Sequence, residues 1–291
     1  MHTHTRIHTH TQNTDAKGQG DFGLRWNQIV SALVADDVVF NSNFNMNSFL
    51  SNIPKFLNII PKHSRPNKAS ILNSIAKKSR VLYYPLSISR DIITQGRIHK
   101  LTTPGDDPPL RIVWPHRWEH DKGLNKMITL LYDLRGLPFE LAILGQDFAF
   151  KLDADIESML TDLKRMRRVT QLGFVESREK YLDILEGSDV VLSTALHEFY
   201  GVSTLEAVWL GCLPLCPNRL AYPEFFPKEC LYNTDAQLKK KLKSMILYPK
   251  RTRERTAIVL GEMNMYRLHW DFLKFEYSIA LGFGAIRLMV R

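Results

Sequence analysis

Two carboxylates, Glu198 and Glu206, stand eight positions apart in Glu198-Phe-Tyr-Gly-Val-Ser-Thr-Leu-Glu206, with the small-residue turn Gly201, Val202, Ser203 and Thr204 between them. The preceding run Ser188-Asp-Val-Val-Leu-Ser-Thr194 reads as a buried parallel strand, and residues 205–210 read as a helix. Together they present a helix N-terminus at the carboxyl end of a strand. Exposed amides and the positive end of the helix dipole meet there, which suits a diphosphate. Glu198 can then face a sugar ring and Glu206 a ribose hydroxyl. The same residues also fit an ordinary strand–loop–helix with a capping serine and two solvated acids, so the choice rests on what surrounds them.

Two further groups follow strand ends. After a strand at residues 111–114 comes Pro115-His-Arg117-Trp-Glu119-His-Asp121-Lys122-Gly123. Arg117 and Lys122 lie on a loop entering a helix, and a guanidinium fork beside an ammonium makes a clamp for a diphosphate. The alternative is a basic loop with ion pairs to Glu119 and Asp121. After a strand at 169–172 comes Gly173-Phe174-Val175, whose backbone can frame a nucleobase or simply turn from strand to helix. No Asp-x-Asp metal motif stands at a suitable strand end. Asp153-Ala-Asp155 has the letters, but it precedes a helix and reads as its N-cap region. His197 sits at a strand end beside Glu198 and fits a structural or sugar-neighbouring role better than that of a base.

These groups need elements to hold them. From residue 111 the pattern alternates strand and helix: strands at 111–114, 139–144, 169–172, 189–193, 213–216 and 230–232, helices at 123–134, 155–166, 178–186, 203–210 and 236–247, and a helical turn at 223–226. That alternation predicts an α/β fold with a doubly wound parallel sheet, whose ligands bind outside the carboxyl ends of its strands. Before it, residues 21–108 read as a partial α/β unit. Helices are expected at 26–33, 46–57 and 69–80, strands at 36–40 and 81–84, a turn-rich stretch at 41–45, and a Pro/Gly-punctuated linker at 102–109. Residues 1–20, with their His-Thr repeat, read as a disordered low-complexity tract. The donor-binding domain is expected at 109–250 and a helical tail at 251–291.

With 291 residues and 44% hydrophobic content, the chain can bury one large core or two modest ones. No run of 18 uncharged apolar residues appears, so neither a membrane span nor a secretory signal is expected. Cys212, Cys216 and Cys230 are an odd, sparse set that fits a reducing compartment and small core residues better than a disulfide framework or a metal site. The net charge of +9 agrees with a polyanionic partner such as RNA. The basic residues cluster at Lys164, Arg165, Arg167 and Arg168, and again over residues 239–255, where eight Lys or Arg meet one acid, Glu254. Either cluster alone also fits a solvated helix face.

In this order the three strand-end groups resemble the donor half of a retaining GT-B glycosyltransferase of the E-x7-E type, over residues 111–247. Trp26-Asn-Gln-Ile, Ala35-Asp-Asp-Val-Val-Phe-Asn-Ser42, Arg117-Trp-Glu-His-Asp-Lys122 and His197-Glu-Phe-Tyr-Gly-Val-Ser203 are similar to the glycosyltransferase-like domain-containing protein 1 family, whose members are tRNA-queuosine α-mannosyltransferases. The resemblance implies GDP-mannose as donor, the queuosine of a tRNA anticodon as acceptor, no cofactor, no metal, and a location in the cytoplasm with the nucleus as a second site. It implies that Arg117 and Lys122 hold the donor diphosphate, that Glu198 contacts the transferred sugar, and that Glu206 contacts the ribose. It also implies that the amides of Gly201, Val202, Ser203 and Thr204 hold phosphate, while Phe174 and Val175 frame the base. Tyr222-Pro223-Glu224 matches the Pro-Glu that commonly follows the next strand. A GT-B enzyme has two Rossmann-like domains, and the opening strands of the first are expected before Trp26, where the His-Thr tract stands. The expectation is therefore of a partial N-terminal domain beside a complete C-terminal one. Two other readings stay open: a non-catalytic form that binds nucleotide sugar or RNA only, and a basic RNA-binding module without donor chemistry.

Overall fold

The apolar runs of the second half of the chain pair as a six-stranded parallel sheet. Its strands are β3 (Leu110–Pro115), β4 (Phe139–Leu144), β5 (Val169–Gly173), β6 (Val190–Leu192), β7 (Leu213–Pro217) and β8 (Leu231–Tyr232), in the order β5-β4-β3-β6-β7-β8. Nearly every residue of β3, β4, β6 and β7 is buried, as expected where helices cover both faces of a sheet. Leu110 pairs with Phe139, and Val113 with both Ala142 and Val191. The chain leaves β3 toward β4 and β5 on one side, then returns to β6 and runs to β7 and β8 on the other. The strand order therefore reverses between β3 and β6, and the loops after these two neighbours carry Lys122 and Glu198. A crevice at such a switch point is where doubly wound sheets bind ligands.

The computed structural model describes residues 22–88, 108–146 and 151–281, which fall into two compact units. One takes the described residues up to Pro85 together with those from Trp270. The other is Leu86–His269. The tract expected over 1–20 and most of the linker expected at 102–109 lie outside the described residues, as do the last ten residues of the chain. Among the described residues no helix is long and apolar enough to cross a membrane.

In the first unit, β1 (Val38–Phe40) pairs in parallel with β2 (Ser79–Val81), Val39 opposite Arg80. Helices α1 (Phe22–Val34), α2 (Asn43–Leu57) and α3 (Lys68–Ala76) bring Ile29, Ile53, Leu57 and Ile75 onto Val38 and Phe40. Two local expectations differ from the structure. Within the turn-rich stretch expected at 41–45, residues 43–45 already start α2, because the Ser42 hydroxyl caps it by accepting the Asn45 amide at 3.1 Å. The strand expected at 81–84 is instead residues 79–81, so 79–80 are strand rather than helix and 82–84 lie beyond it. α3 stops at Ala76, and the Lys78 carbonyl accepts the Val38 amide at 2.9 Å, which starts the ladder with β1.

The second unit holds α4 (Leu124–Asp133), α5 (Ala154–Arg165), α6 (Arg178–Gly187), α7 (Val202–Trp209), α8 (Tyr222–Phe225), α9 (Asp235–Leu247) and α10 (Pro249–Glu262), while α11 (Trp270–Ala280) belongs with the first. The segment read as one tail from residue 251 is thus divided between the units. α10 escapes the hydrophobic period because half of its buried stripe is threonine. Thr252, Thr256, Val259 and Leu260 face inward, and the Thr252 and Thr256 hydroxyls bond back to the carbonyls of Tyr248 and Thr252 at 3.0 and 2.7 Å. All three cysteines are buried, and burial pushes the Cys230 thiol up to about 12.

One charged contact anchors α10. The Arg253 guanidinium donates to both carboxylate oxygens of Asp189 at 3.0 Å and to the Pro108 carbonyl at 3.0 Å, while the Arg111 amide donates to Asp189 at 2.9 Å. The Asp189 side chain is 1% exposed, so it ties α10 to the start of β3 from inside the protein. Burial alone would raise its pKa. The hydrogen bonds from Arg253 and the Arg111 amide, with the charges of both guanidiniums, outweigh burial and leave it below the ordinary carboxylate value. A depressed native pKa stabilises the fold above the unfolded pKa and loses that contribution as pH falls through the native value. Arg253→Ala should cost about 3–5 kcal/mol, the penalty for stranding a buried partner. Asp189→Asn should flatten the stability profile below about pH 4, where an unfolded carboxylate titrates. Chemical denaturation from pH 2 to 7 checks both outcomes.

Candidate functional site

The loop after β3 closes with a 3-10 turn, His120–Lys122, and then Gly123 at φ +70°, from which α4 starts. A side chain at Gly123 would need the left-handed backbone and would overlap the Thr194 carbonyl oxygen. The close approach belongs to a set of bonds that clasps this loop to the segment after β6. Thr194 Oγ1 lies 2.9 Å from the Gly123 carbonyl and 3.1 Å from that of Lys122, and it accepts the Trp114 indole N–H at 3.1 Å. The Asp121 carbonyl accepts the amides of Leu196 and His197 at 2.7 and 3.2 Å.

Lys122 is held across this clasp. Its ammonium donates to the His197 carbonyl at 2.9 Å and to Glu198 Oε2 at 3.3 Å, and lies 3.3 Å from Asp121 Oδ2. The ammonium thus has two hydrogen-bond acceptors and a second carboxylate beside it. The side chains of Lys122 and Glu198 are only 10% and 13% exposed. The second oxygen of Glu198 accepts the amides of Phe199 and Gly201 at 3.1 and 3.2 Å. Gly201, at φ +81°, is the N-cap of α7, and no side chain caps that helix. The first helical bond runs from the Leu205 amide to the Gly201 carbonyl. The amides of Val202, Ser203 and Thr204 therefore have no acceptor within the helix, and they point out of its positive end. A capping serine and two solvated acids do not describe this turn.

Glu206 lies one turn into α7, buried, and is gripped by α6. Arg178 Nη1 donates to Glu206 Oε2 at 3.2 Å, the second guanidinium nitrogen bonds the other oxygen, and the Tyr181 hydroxyl donates to Oε2 at 3.3 Å. Burial, followed by the Glu206 charge, raises the Tyr181 pKa and keeps it protonated as a donor. Arg178 and Tyr181 were not singled out from the sequence. Their i, i+3 spacing shows that they share a helix face, but not that the face meets a residue 28 positions away.

The structure joins Lys122, Glu198 and Gly201 directly, with Val202, Ser203, Thr204 and Glu206 following on α7. Arg117 lies on the exposed side of its loop and pairs with Glu119 at 3.2 Å. Both ion pairs raised as the alternative to a clamp, Arg117 with Glu119 and Lys122 with Asp121, are formed. Phe174, 62% exposed, and half-buried Val175 follow β5 on the way to α6. The His197 ring is exposed, and only its backbone takes part in the clasp. Tyr222, from the Tyr-Pro-Glu motif, is buried beneath Gly201 with its hydroxyl 2.6 Å from Ser193 Oγ. Among the described residues, no three His, Cys, Asp or Glu side chains gather in a metal-binding arrangement.

His116 is the one titratable group of the loop driven far from its ordinary value. Burial, then the Lys122 charge, lowers its pKa to about 3, against Asp121 and a hydrogen bond with the Leu192 backbone. Its ring meets Trp114 edge-on at 5.0 Å, and Nε2 has no partner. A neutral imidazole therefore backs the ammonium of Lys122 and adds no positive charge beside it.

Residues 11–86 match the family described as tRNA-queuosine alpha-mannosyltransferase N-terminal. The chain is 40% identical over 239 residues to a tRNA-queuosine alpha-mannosyltransferase of Drosophila melanogaster, a match covering 80% of this chain and 60% of that protein. Among solved structures, sucrose-phosphate synthase from Thermosynechococcus elongatus superposes with a TM-score of 0.60 at 14% identity, covering 93% of this chain and 63% of that one. Anabaena HepE in complex with UDP and glucose gives 0.61 at 14% identity, covering 90% and 67%. These structural likenesses show the GT-B glycosyltransferase fold. The chain is thus similar to tRNA-queuosine alpha-mannosyltransferases both in its N-terminal part and over most of its length, and it spans about 60% of the length of its Drosophila relative.

Two outcomes are expected at this site. Gly123→Ala should cost at least about 1 kcal/mol from the left-handed backbone alone, more with the Thr194 overlap, and a lowered melting temperature reads it. For His116, the unfolded ring binds a proton below about pH 6.5 and the native ring does not. Stability should then fall as pH drops from that value toward the native pKa of about 3. His116→Leu should flatten that slope in the same denaturation series.

Proposed function

We propose that this chain holds the donor site of a retaining mannosyltransferase, which moves mannose from GDP-mannose to the queuosine of a tRNA anticodon without a metal. Similarity to the tRNA-queuosine alpha-mannosyltransferases supports the class of donor and acceptor. The observation that carries the chemistry is the buried Lys122 ammonium, 3.3 Å from Glu198 at the mouth of a helix that starts on a glycine. In this reading the diphosphate lies against the amides of Val202, Ser203 and Thr204, and Lys122 exchanges Asp121 for a phosphate oxygen. Arg117, on its exposed loop, turns from Glu119 to the same group. Fixed donors aimed at the charge that develops on the departing GDP then do the work a cation would otherwise do.

Glu198 has both oxygens occupied, one by the two amides and one by Lys122. It is therefore held in place as an acceptor, fit to orient sugar hydroxyls. Glu206, locked by Arg178 and Tyr181, offers its remaining lone pairs to the ribose, while exposed Phe174 and Val175 flank the base. The acceptor hydroxyl attacks from the face that GDP leaves, so the anomeric configuration is kept. The cytoplasm and the nucleus both hold tRNA and fit the reading.

Losing one such charge contact costs about 2–4 kcal/mol in barrier, so Lys122→Ala should slow mannosyl transfer to queuosine-containing tRNA by about 30- to 1,000-fold. A rate within threefold of the parent overturns the role given to Lys122. GDP and GDP-mannose should raise the melting temperature of the chain. If neither does while RNA does, the donor-site reading fails.

A further inference from the structure

A second polar site lies away from the switch point. A cavity of about 620 Å³ opens between α9, α10 and the turn at residues 228–233. Its charged lining is Lys228, Lys240, Lys241, Arg251 and Arg255 against one acid, Glu229. Arg255 stands 3.9 Å from Glu229, and Lys241 donates to the Glu229 backbone carbonyl at 2.6 Å. Among the described residues, the side chains of Lys228, Lys240 and Arg251 make no hydrogen bond or ion pair. Burial, with the charge of Arg255 adding to it, pulls Lys241 below the ordinary lysine value. The cavity is therefore charged in excess of what the protein neutralises, at a cost that a bound anion would relieve.

We propose that this cavity and the helices around it grip the phosphodiester backbone of the tRNA acceptor. Three observations favour an extended polyanion over a single small anion. The cations come from three chain segments, so they are spread around a space large enough for more than one phosphate. Exposed Lys243 and Lys250 continue the positive charge on the same two helices. The cavity also lies beside the edge of the sheet, away from the donor turn: Leu213 of β7 and Leu231 of the last strand, β8, line it, whereas Glu198 and Gly201 follow β6. The two strand spacings from β6 to β8 come to about 10 Å, roughly three base-pair steps of a duplex at ~3.4 Å each. One RNA can thus engage the cavity while its modified nucleoside reaches the cleft. The contacts would position the RNA without reading its sequence, as backbone contacts do. The proposal rests on the reading of the acceptor as a tRNA, but not on the identity of the donor.

The test is fluorescence anisotropy of labelled tRNA with the whole chain, without nucleotide sugar, over a series of salt concentrations. The double variant Lys240→Glu/Arg251→Glu, with both side chains exposed, should bind tRNA at least tenfold more weakly. Its plot of log affinity against log salt should be shallower by about two contacts' worth. GDP and GDP-mannose should bind it as they bind the parent. If the double variant does not fold, Lys228→Glu should still weaken tRNA binding severalfold. A variant with the parent's affinity and salt slope overturns the proposal, as does polyglutamate competing as well as unlabelled tRNA. Failure of the parent to bind GDP-mannose counts against the donor site alone, because the RNA measurement contains no donor.

Discussion

The contact on which the site depends is the one between Lys122 and Glu198. An ammonium and a carboxylate, each almost withdrawn from water, meet across two loops 76 residues apart in the chain. Withdrawing either charge alone would cost several kcal/mol, on the order of the whole stability margin of a domain. The surroundings therefore satisfy both. Lys122 donates to the His197 carbonyl and to Glu198 with Asp121 close by, and Glu198 accepts two amides of its own turn. The bonds that clasp the loops through Thr194 and the Asp121 carbonyl keep the pair in register, and they leave little room for either loop to move without exposing an unpaired charge.

This pair stands where it does because of the sheet. β3 and β6 are neighbours at the point where the strand order reverses, so the loops that follow them come side by side at the carboxyl ends, where doubly wound sheets bind ligands. Two glycines with positive φ release the helices that start there. Gly123 lets the chain pass beneath Thr194, and Gly201 lets α7 begin without a side-chain cap. The same site is thus preorganised for an anion by what it omits, a capping side chain, as much as by what it supplies.

Each cation of the candidate site holds a carboxylate: Lys122 with Glu198 and Asp121, Arg117 with Glu119, and Arg178 with Glu206. A diphosphate entering such a site exchanges one anionic partner for another, so binding involves little net desolvation of the cations. The basic cavity at the edge of the sheet is built the opposite way. Five cations there share one acid, and the surplus has no internal partner. The two regions differ in how their charge is balanced, which fits a neutralised pocket for a small ligand and an unneutralised surface for a long one.

Local chemistry made much of this readable in advance. Continuous apolar runs between amphipathic stretches named the strands and helices of the parallel sheet, often to within a residue, because burial on both faces leaves no other composition stable. The Glu-x7-Glu spacing and its glycine marked the helix mouth, since only glycine adopts that turn without strain. Elements whose inward faces are not hydrophobic escaped: α10 is packed through threonines, and its anchor is the buried Asp189–Arg253 pair. The partners of the site residues escaped for a related reason. That Lys122 meets Glu198, that Arg178 and Tyr181 hold Glu206, and that Arg117 lies on the exposed side of its loop depend on which strands lie side by side. Pairing between segments dozens of residues apart leaves no periodic trace along the chain, so the tertiary structure alone decided it.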